Sequence, residues 1–134
     1  MSVSVVCPFY NEAGIIEQAI RGLLKSLETL PEDFELIVVN DGSKDESGRI
    51  AEKVAAENPR LRVLGYTQNR GRGYGLRTGI AAAKHDVVVT TEIDLSWGED
   101  IVHRLLKAMR EWPDADIVVA SPHLEGGGYK NVPP

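Results

Sequence analysis

Residues 87–100 read VVVTTEIDLSWGED. An apolar β-branched run, Val87 to Val89, passes through two threonines and ends on two acids, Glu92 and Asp94, one residue apart. A continuous apolar strand of this kind is buried on both faces, as in a parallel sheet covered by helices. The rest of the chain repeats the theme. Short apolar runs at Val3–Cys7, Leu36–Val39, Leu61–Leu64 and Ile117–Ala120 read as four further strands, with Val87–Thr91 as the fourth of five in chain order. Between them lie helical stripes. Ile15/Ile16, Ala19/Ile20, Leu23/Leu24, Leu27 and Leu30 mark the first, and Ile50 and Val54 the second. Leu76 to Ala83 is the third, and Ile101/Val102, Leu105/Leu106, Met109 and Trp112 mark the fourth. Strand alternating with helix predicts an α/β, Rossmann-like fold: a mostly parallel sheet with helices on both faces.

Composition bounds the function. The chain has 134 residues, 43% hydrophobic and 26% charged, which suits one soluble domain with a real core. Fifteen Lys and Arg against twenty Asp and Glu leave a net charge of −5. Nucleic-acid binding lives on basic patches, so no nucleic-acid partner is expected. The one cysteine, Cys7, reads as a buried free thiol of a reducing compartment. No apolar stretch approaches the roughly 20 residues that span a bilayer, and the N-terminus lacks the pattern of a signal peptide. The expected location is the cytoplasm.

In open parallel sheets, ligands bind beyond the C-terminal ends of the strands. Four loops meet that rule: Pro8–Glu12, Asn40–Asp45, Gln68–Gly75 and Glu92–Ser96. Two carboxylates one apart at a strand end share a side and repel unless a cation lies between them. A hard divalent ion, Mg²⁺ or Mn²⁺, answers that, and such ions also hold substrate phosphates. The plainer reading of the same stretch is an N-cap at Ser96 with Glu99 closing a capping box, which leaves Glu92 and Asp94 unexplained. Residues 38–47, VVNDGSKDES, are turn chemistry, yet Asp41 stands at a strand end where a carboxylate can accept from a base N–H or a ribose hydroxyl. Tyr10 offers a ring for stacking, or is an ordinary half-buried loop tyrosine. In NRGRGYGLRTG, residues 69–79, glycines let the backbone approach an anion and Arg70, Arg72 and Arg77 neutralise it; the alternative is a flexible loop with solvated arginines. Neither a dinucleotide G-x-G-x-x-G nor a P-loop occupies the first strand-to-helix turn. His85, His103 and His123 have no metal-ligand spacing, and the first two read as solvated.

The four stretches, in order, resemble the motifs of family 2 glycosyltransferases with the GT-A fold, and among them the dolichol- and polyprenol-phosphate mannosyl- and glucosyltransferases. PFYNE is similar to the opening motif, VVNDGSKDES to the Asp-Asp-Gly-Ser loop, NRGRGYGLRTG to the Asn-x-Gly-x-Gly loop, EIDLSWGED to the metal-binding Asp-x-Asp, and SPHLEGGGYKN to a Gly-Ser-Arg-then-GGG stretch. The resemblance implies a nucleotide pocket lined by Pro8, Tyr10, Glu12, Val39 and Asp41, with Arg72 near the phosphates and Ile93 against the nucleotide. It puts Glu92, Asp94 and Ser96 at the metal, with Asp94 the expected catalytic residue. The chain departs from the pattern at Asn40 (for Asp), Glu92 (for Asp), Arg72 (for Lys) and His123 (for Arg).

The function implied is metal-dependent transfer of a sugar from a nucleoside diphosphate sugar, of the GDP-mannose or UDP-glucose type, to a polyprenyl or dolichyl phosphate or another acceptor. A lipid acceptor would bring the chain to the cytoplasmic face of a membrane as a peripheral protein; a homo-oligomer stays open. The rival is a truncated or non-catalytic module that only binds the sugar nucleotide. Residues 1–124 are the expected nucleotide-sugar-binding core. Residues 125–134, Gly/Pro-rich, are expected to be a mobile segment, a linker or a truncation point.

Overall fold

A computed structural model describes residues 1–121. The expectations for His123, for the last residues of the 1–124 core and for the segment 125–134 lie outside the described residues.

The chain runs β1 (Val3–Phe9), α1 (Ile16–Leu27), β2 (Phe34–Asp41), α2 (Ser47–Glu57), β3 (Leu61–Tyr66), α3 (Arg72–Ala82), β4 (Val87–Thr90) and α4 (Ile101–Glu111). The four strands form one sheet in the order β3-β2-β1-β4, every pair parallel. β1 is central, and all seven of its residues are buried. Alternation along the strands sorts the core. Val3, Val5, Cys7 and Phe9 of β1, with Phe34, Leu36 and Val38 of β2, face a cluster that takes in Ile16, Ile20 and Leu23 of α1, Val54 of α2 and Leu106 of α4. Val6, Ile37 and Val39 face the other way, with Leu76 of α3 against them. Both faces of the sheet are therefore covered, which is why the strands are apolar throughout rather than alternating with polar residues.

The order of strands places the functional end. From β1 the chain moves outward through β2 and β3, then returns to the opposite side of β1 as β4. The crevice at such a reversal opens between the C-terminal ends of the two strands that flank it. Here those strands are β1 and β4. Their ladder stops at Val6 opposite Thr90, and Pro8, without an N–H, cannot extend it.

α3 begins at Arg72, four residues before the run expected from its apolar residues. Gly73 and Gly75 look like breakers in a sequence. Gly75 and Gly79 instead let the helix lie close: a Cβ on Gly79 would fall 2.3 Å from Val6 Cγ1, and one on Gly75 3.1 Å from Pro8 Cβ. The fifth expected strand is absent. Residues 117–120 pair with no strand among the described residues, and Ile117 and Val119 are 80% and 74% exposed. High β-propensity makes a strand only against a ladder partner. α4 starts at Ile101 with Asp100 at its N-cap position and no side-chain cap bond, so Ser96 and Glu99 form no capping box. Neither described histidine is freely solvated. Both are half-buried, and His103 Nε2 lies 2.8 Å from Thr29 Oγ1.

A buried carboxylate, Glu35, sits within the sheet away from the C-terminal ends of the strands. Glu35 of β2 accepts from Ser4 Oγ (2.6 Å), the Lys84 N–H (2.7 Å) and Arg62 Nη1 (2.9 Å). Arg62 also donates to the Ala82 carbonyl at the end of α3 (2.9 Å). The cluster thus ties the α3–β4 turn to the sheet. Burial pushes the Glu35 carboxyl up, but the three hydrogen bonds and the Arg62 charge outweigh it and hold the group below its ordinary value. A carboxyl lower in the folded than in the unfolded state contributes stability above the unfolded value, about 4.3, and loses it as pH falls further. Glu35→Gln is therefore expected to lower the melting temperature at pH 7 and to lose less than the wild type between pH 5 and pH 3. Parallel melting curves for the two proteins across that range would remove Glu35 from the acid sensitivity.

Candidate functional site

The loops after β1, β2, β3 and β4 enclose a cleft of about 330 Å³ at the strand reversal. Pro8, Phe9, Tyr10 and Glu12 supply one wall; Asp41, Asn69, Gly71 and Arg72 supply another; Glu92, Ile93 and Asp94 close it from the β4 side.

The loops are fixed by hydrogen bonds between them. Asp41, the last residue of β2 and 4% exposed, accepts from four donors. Oδ1 takes Tyr66 Oη (2.7 Å) and the Arg70 N–H (2.9 Å); Oδ2 takes Asn69 Nδ2 (2.9 Å) and the Gly71 N–H (3.1 Å). A carboxylate has about four lone-pair sites, so Asp41 is saturated by the chain itself. Burial, then donation to Asp41, pushes the Tyr66 hydroxyl up. The neighbouring Gly42 has φ +71°, and a Cβ there would lie 2.3 Å from the Asn69 backbone nitrogen. The β2 and β3 loops therefore cross in backbone contact, which glycine alone permits. On the other side, Ser43 Oγ accepts from the Asn11 N–H (2.9 Å), Asn11 Oδ1 from the Lys44 N–H (2.8 Å), and Ser47 Oγ from the Glu12 N–H (2.7 Å). Asp45 binds both the Ala13 N–H (3.2 Å) and Ser47, whose bonds hold its carboxyl below the ordinary value.

Glu92 and Asp94 lie beyond the end of β4, on a turn closed by the Leu95 N–H bonded to the Glu92 carbonyl (3.1 Å), with Leu95 at φ +57°. Their shared side follows from this turn rather than from strand alternation. Ile93, 5% exposed, is anchored in the core between them. Asp94 Oδ1 accepts the Ser96 N–H (3.0 Å). Glu92 forms an ion pair with Arg72, reaching across from the first residue of α3. Negative potential spreads from the pair. It adds to burial in raising the Cys7 thiol, and Asp94, with Asp45, adds to burial in raising Glu12.

Among the described residues, no three His, Cys, Asp or Glu side chains converge into a closed cage. A hard ion of the Mg²⁺ or Mn²⁺ kind does not need one, since it binds through one or two carboxylates and completes its shell with water and substrate phosphates. The donor set fits such an ion: two carboxylate side chains on one turn, one already drawing a cationic group to itself.

Of the residues singled out from sequence, Pro8, Tyr10, Glu12, Asp41, Arg72, Glu92, Ile93 and Asp94 come together in the cleft. Val39 does not line it; it is fully buried under α3, beside Gly79. Ser96 does not line it either, and its backbone N–H serves Asp94. Arg77 is exposed outside the cleft, and Arg70 stacks 5.1 Å over the Tyr74 ring. Phe9, Asn69 and Gly71 also line the cleft. They carry no individual role in the sequence reading, but they lie in two of the loops that it singles out, Asn69 and Gly71 within the Asn-x-Gly-x-Gly stretch.

The Asp41 clamp is testable. Asp41→Asn turns one acceptor oxygen into a donor that faces other donors, and a buried unmatched group of this kind costs about 1–3 kcal/mol. Urea unfolding is expected to show that loss, and amide exchange at Arg70 and Gly71 is expected to accelerate more than in β1. Unchanged exchange at those two amides would show that Asp41 does not hold the turn.

The family model for Glycosyl transferase family 2 matches residues 4–134. The glycosyltransferase AglD of Haloferax volcanii is 39% identical over 112 residues, which are 82% of this chain and 18% of that protein. A dolichol-phosphate mannosyltransferase of Pyrococcus furiosus is 29% identical over 133 residues, 99% of this chain and 36% of that protein. The chain therefore spans well under half the length of these curated relatives. The mannosyltransferase PcManGT from Pyrobaculum calidifontis, solved in complex with GDP-Man and Mn²⁺, superposes with a TM-score of 0.70 at 26% identity, over 90% of this chain and 36% of that one. A four-stranded parallel core with this reversal, this set of loops and this match over nearly its whole length belongs to glycosyltransferase family 2 and has the GT-A fold.

Proposed function

We propose that the cleft binds a nucleoside diphosphate sugar with a divalent cation, and that the chain is the donor-binding part of a transferase acting on a polyprenyl or dolichyl phosphate. The observation that carries this reading is the opposition of two walls. Glu92 and Asp94 lie on one side, and Arg72 at the N-terminus of α3 lies on the other. Anions are stabilised at helix N-termini and cations between carboxylates, so a metal-bound diphosphate matches both walls at once.

The roles follow from position. Tyr10, 41% exposed at the cleft edge, offers its ring to the base. Asp41 acts through the turn it clamps, aiming Asn69 and the first residues of α3 into the cleft. Arg72 pairs with diphosphate oxygens. Glu92 and Asp94 would hold the cation, which when bound neutralises charge on the departing diphosphate. As the acceptor oxygen bonds to the anomeric carbon, the bond to the diphosphate oxygen breaks and its electron pair leaves with the nucleoside diphosphate. A phosphate acceptor is already ionised near neutrality, with a second pKa of about 6, and needs no general base.

Two comparisons support the choice of ligands. The similar Pyrobaculum structure contains GDP-Man and Mn²⁺, and the similar Pyrococcus protein is named for dolichol phosphate. No described helix is long and apolar enough to cross a membrane, so the lipid acceptor would be met at a membrane surface.

Calorimetric titration of the chain with GDP-mannose and UDP-glucose, with and without Mn²⁺, tests the reading. The wild type is expected to bind one of them in Mn²⁺, and Asp94→Asn to lose that binding at least tenfold while its melting temperature holds. Tyr10→Ala should weaken binding by about 1–3 kcal/mol, the range for base stacking on an aromatic ring. Equal affinity of Asp94→Asn and wild type in Mn²⁺ would reject the metal assignment. Binding with no turnover on a polyprenyl phosphate would favour a module that holds the donor without transferring it.

A further inference from the structure

Arg72 is the basic side chain among the residues lining the cleft, and without a bound cation it is committed to Glu92. The commitment is weak. The Arg72 side chain is 56% exposed and that of Glu92 30% exposed, and ion pairs with this much solvent access are worth about 0–1 kcal/mol. The contrast within the same molecule is Arg62, which is tied to the buried Glu35 and to a backbone carbonyl together. The root of Arg72 is nonetheless fixed. Gly71, one residue before, is held by its N–H to Asp41, and Gly75 in the next turn of α3 rests on Pro8. The guanidinium is therefore a mobile head on a fixed base, positioned between a carboxylate and the start of a helix.

We propose that Arg72 is an exchangeable counter-ion: it neutralises Glu92 while the site is empty and passes to the diphosphate of the donor when a divalent cation takes Glu92. This rests on the donor-binding reading above and adds a coupling to it. Charge balance gives the reason. With Glu12, Glu92 and Asp94 in its lining, the cleft repels a bare diphosphate. A divalent ion cancels Glu92 and Asp94 and frees the guanidinium, whose forked donors match phosphate oxygens as well as they match a carboxylate. Each ligand thereby removes an obstacle to the other, so binding of cation and diphosphate is cooperative through one side chain. By linkage the effect has the same size from either direction.

The test measures Mn²⁺ binding by the decrease of the free-ion paramagnetic resonance signal, for wild type, Arg72→Gln and Arg72→Lys, with and without UDP or GDP. In the absence of nucleotide, Arg72→Gln is expected to bind Mn²⁺ about two- to fivefold more tightly than wild type, the span of one exposed ion pair. At saturating Mn²⁺ the same variant is expected to bind the nucleoside diphosphate about tenfold more weakly, as for loss of a charged hydrogen bond. Arg72→Lys should lie between, keeping the charge without the fork. A variant that was merely damaged would weaken both. Unchanged or weaker Mn²⁺ binding by empty Arg72→Gln, with the wild type still taking up Mn²⁺ and nucleotide, overturns the exchange and leaves the donor site standing. No Mn²⁺ uptake by the wild type, even with nucleotide, overturns the donor site and the exchange together.

Discussion

Four hydrogen bonds on one carboxylate organise the functional end of this protein. Asp41 ends β2 with its side chain turned back under the β3–α3 loop, where it meets part-buried backbone N–H groups. It satisfies two of them and fastens Asn69 and Tyr66 besides. Because Gly71 is one of the four donors, the same carboxylate sets where α3 starts, and with it where Arg72 projects. Gly42 must be glycine for the loops to approach closely enough for these bonds. Removing any part of this arrangement moves the wall that faces the acids.

The opposite wall is a turn closed by its own hydrogen bonds, and its character is set by the charge it carries. Glu92 and Asp94 stand on a turn over the end of the sheet, with Cys7 buried near them and Glu12 across the cleft. Burial and the acids together raise both groups, so the cleft holds more negative charge than its one arginine balances. This local excess of negative charge, in a chain with an overall charge of −5, is the feature on which the proposal of a divalent cation rests.

Much of this was legible in the sequence, and the omissions have physical causes. Periodicity located four strands and four helices because both sheet faces are buried and the strands therefore read as unbroken apolar runs. It overextended at residues 117–120, where β-branched residues have the propensity of a strand but no ladder partner among the described residues. It delayed α3, because glycine looks like a stop even where a helix needs it to lie against Val6 and Pro8. Motif order found eight of the cleft residues but not what they do. Asp41 reads from sequence as an acceptor for a base or ribose, and its acceptors are already occupied; nothing in a linear string counts hydrogen bonds. Val39 and Ser96 sit beside site residues in sequence, but strand alternation turns Val39 into the core under α3, and Ser96 is buried in the turn, where its N–H serves Asp94. The Glu35 cluster gave no signal, since its partners lie 27 to 49 residues away in the chain and meet only through the fold.

The two substitutions that set this chain apart in its cleft are in contact with each other. Glu92 stands where the resemblance to the family motifs leads one to expect aspartate, and Arg72 where it leads one to expect lysine, and the two form one ion pair. Each change lengthens or widens the side chain: glutamate by a methylene, arginine by a planar fork. A shorter acid on the β4 turn and a single-point ammonium on α3 would have less reach across the same cleft, whose walls are fixed by the Asp41 clamp on one side and by Ile93 in the core on the other. With the backbone held, the span between the walls must be covered by side chains. The longer acid and the forked cation cover it while keeping both charges. Glutamate for aspartate and arginine for lysine each keep the charge, and the ion pair joins the two longer side chains across the cleft.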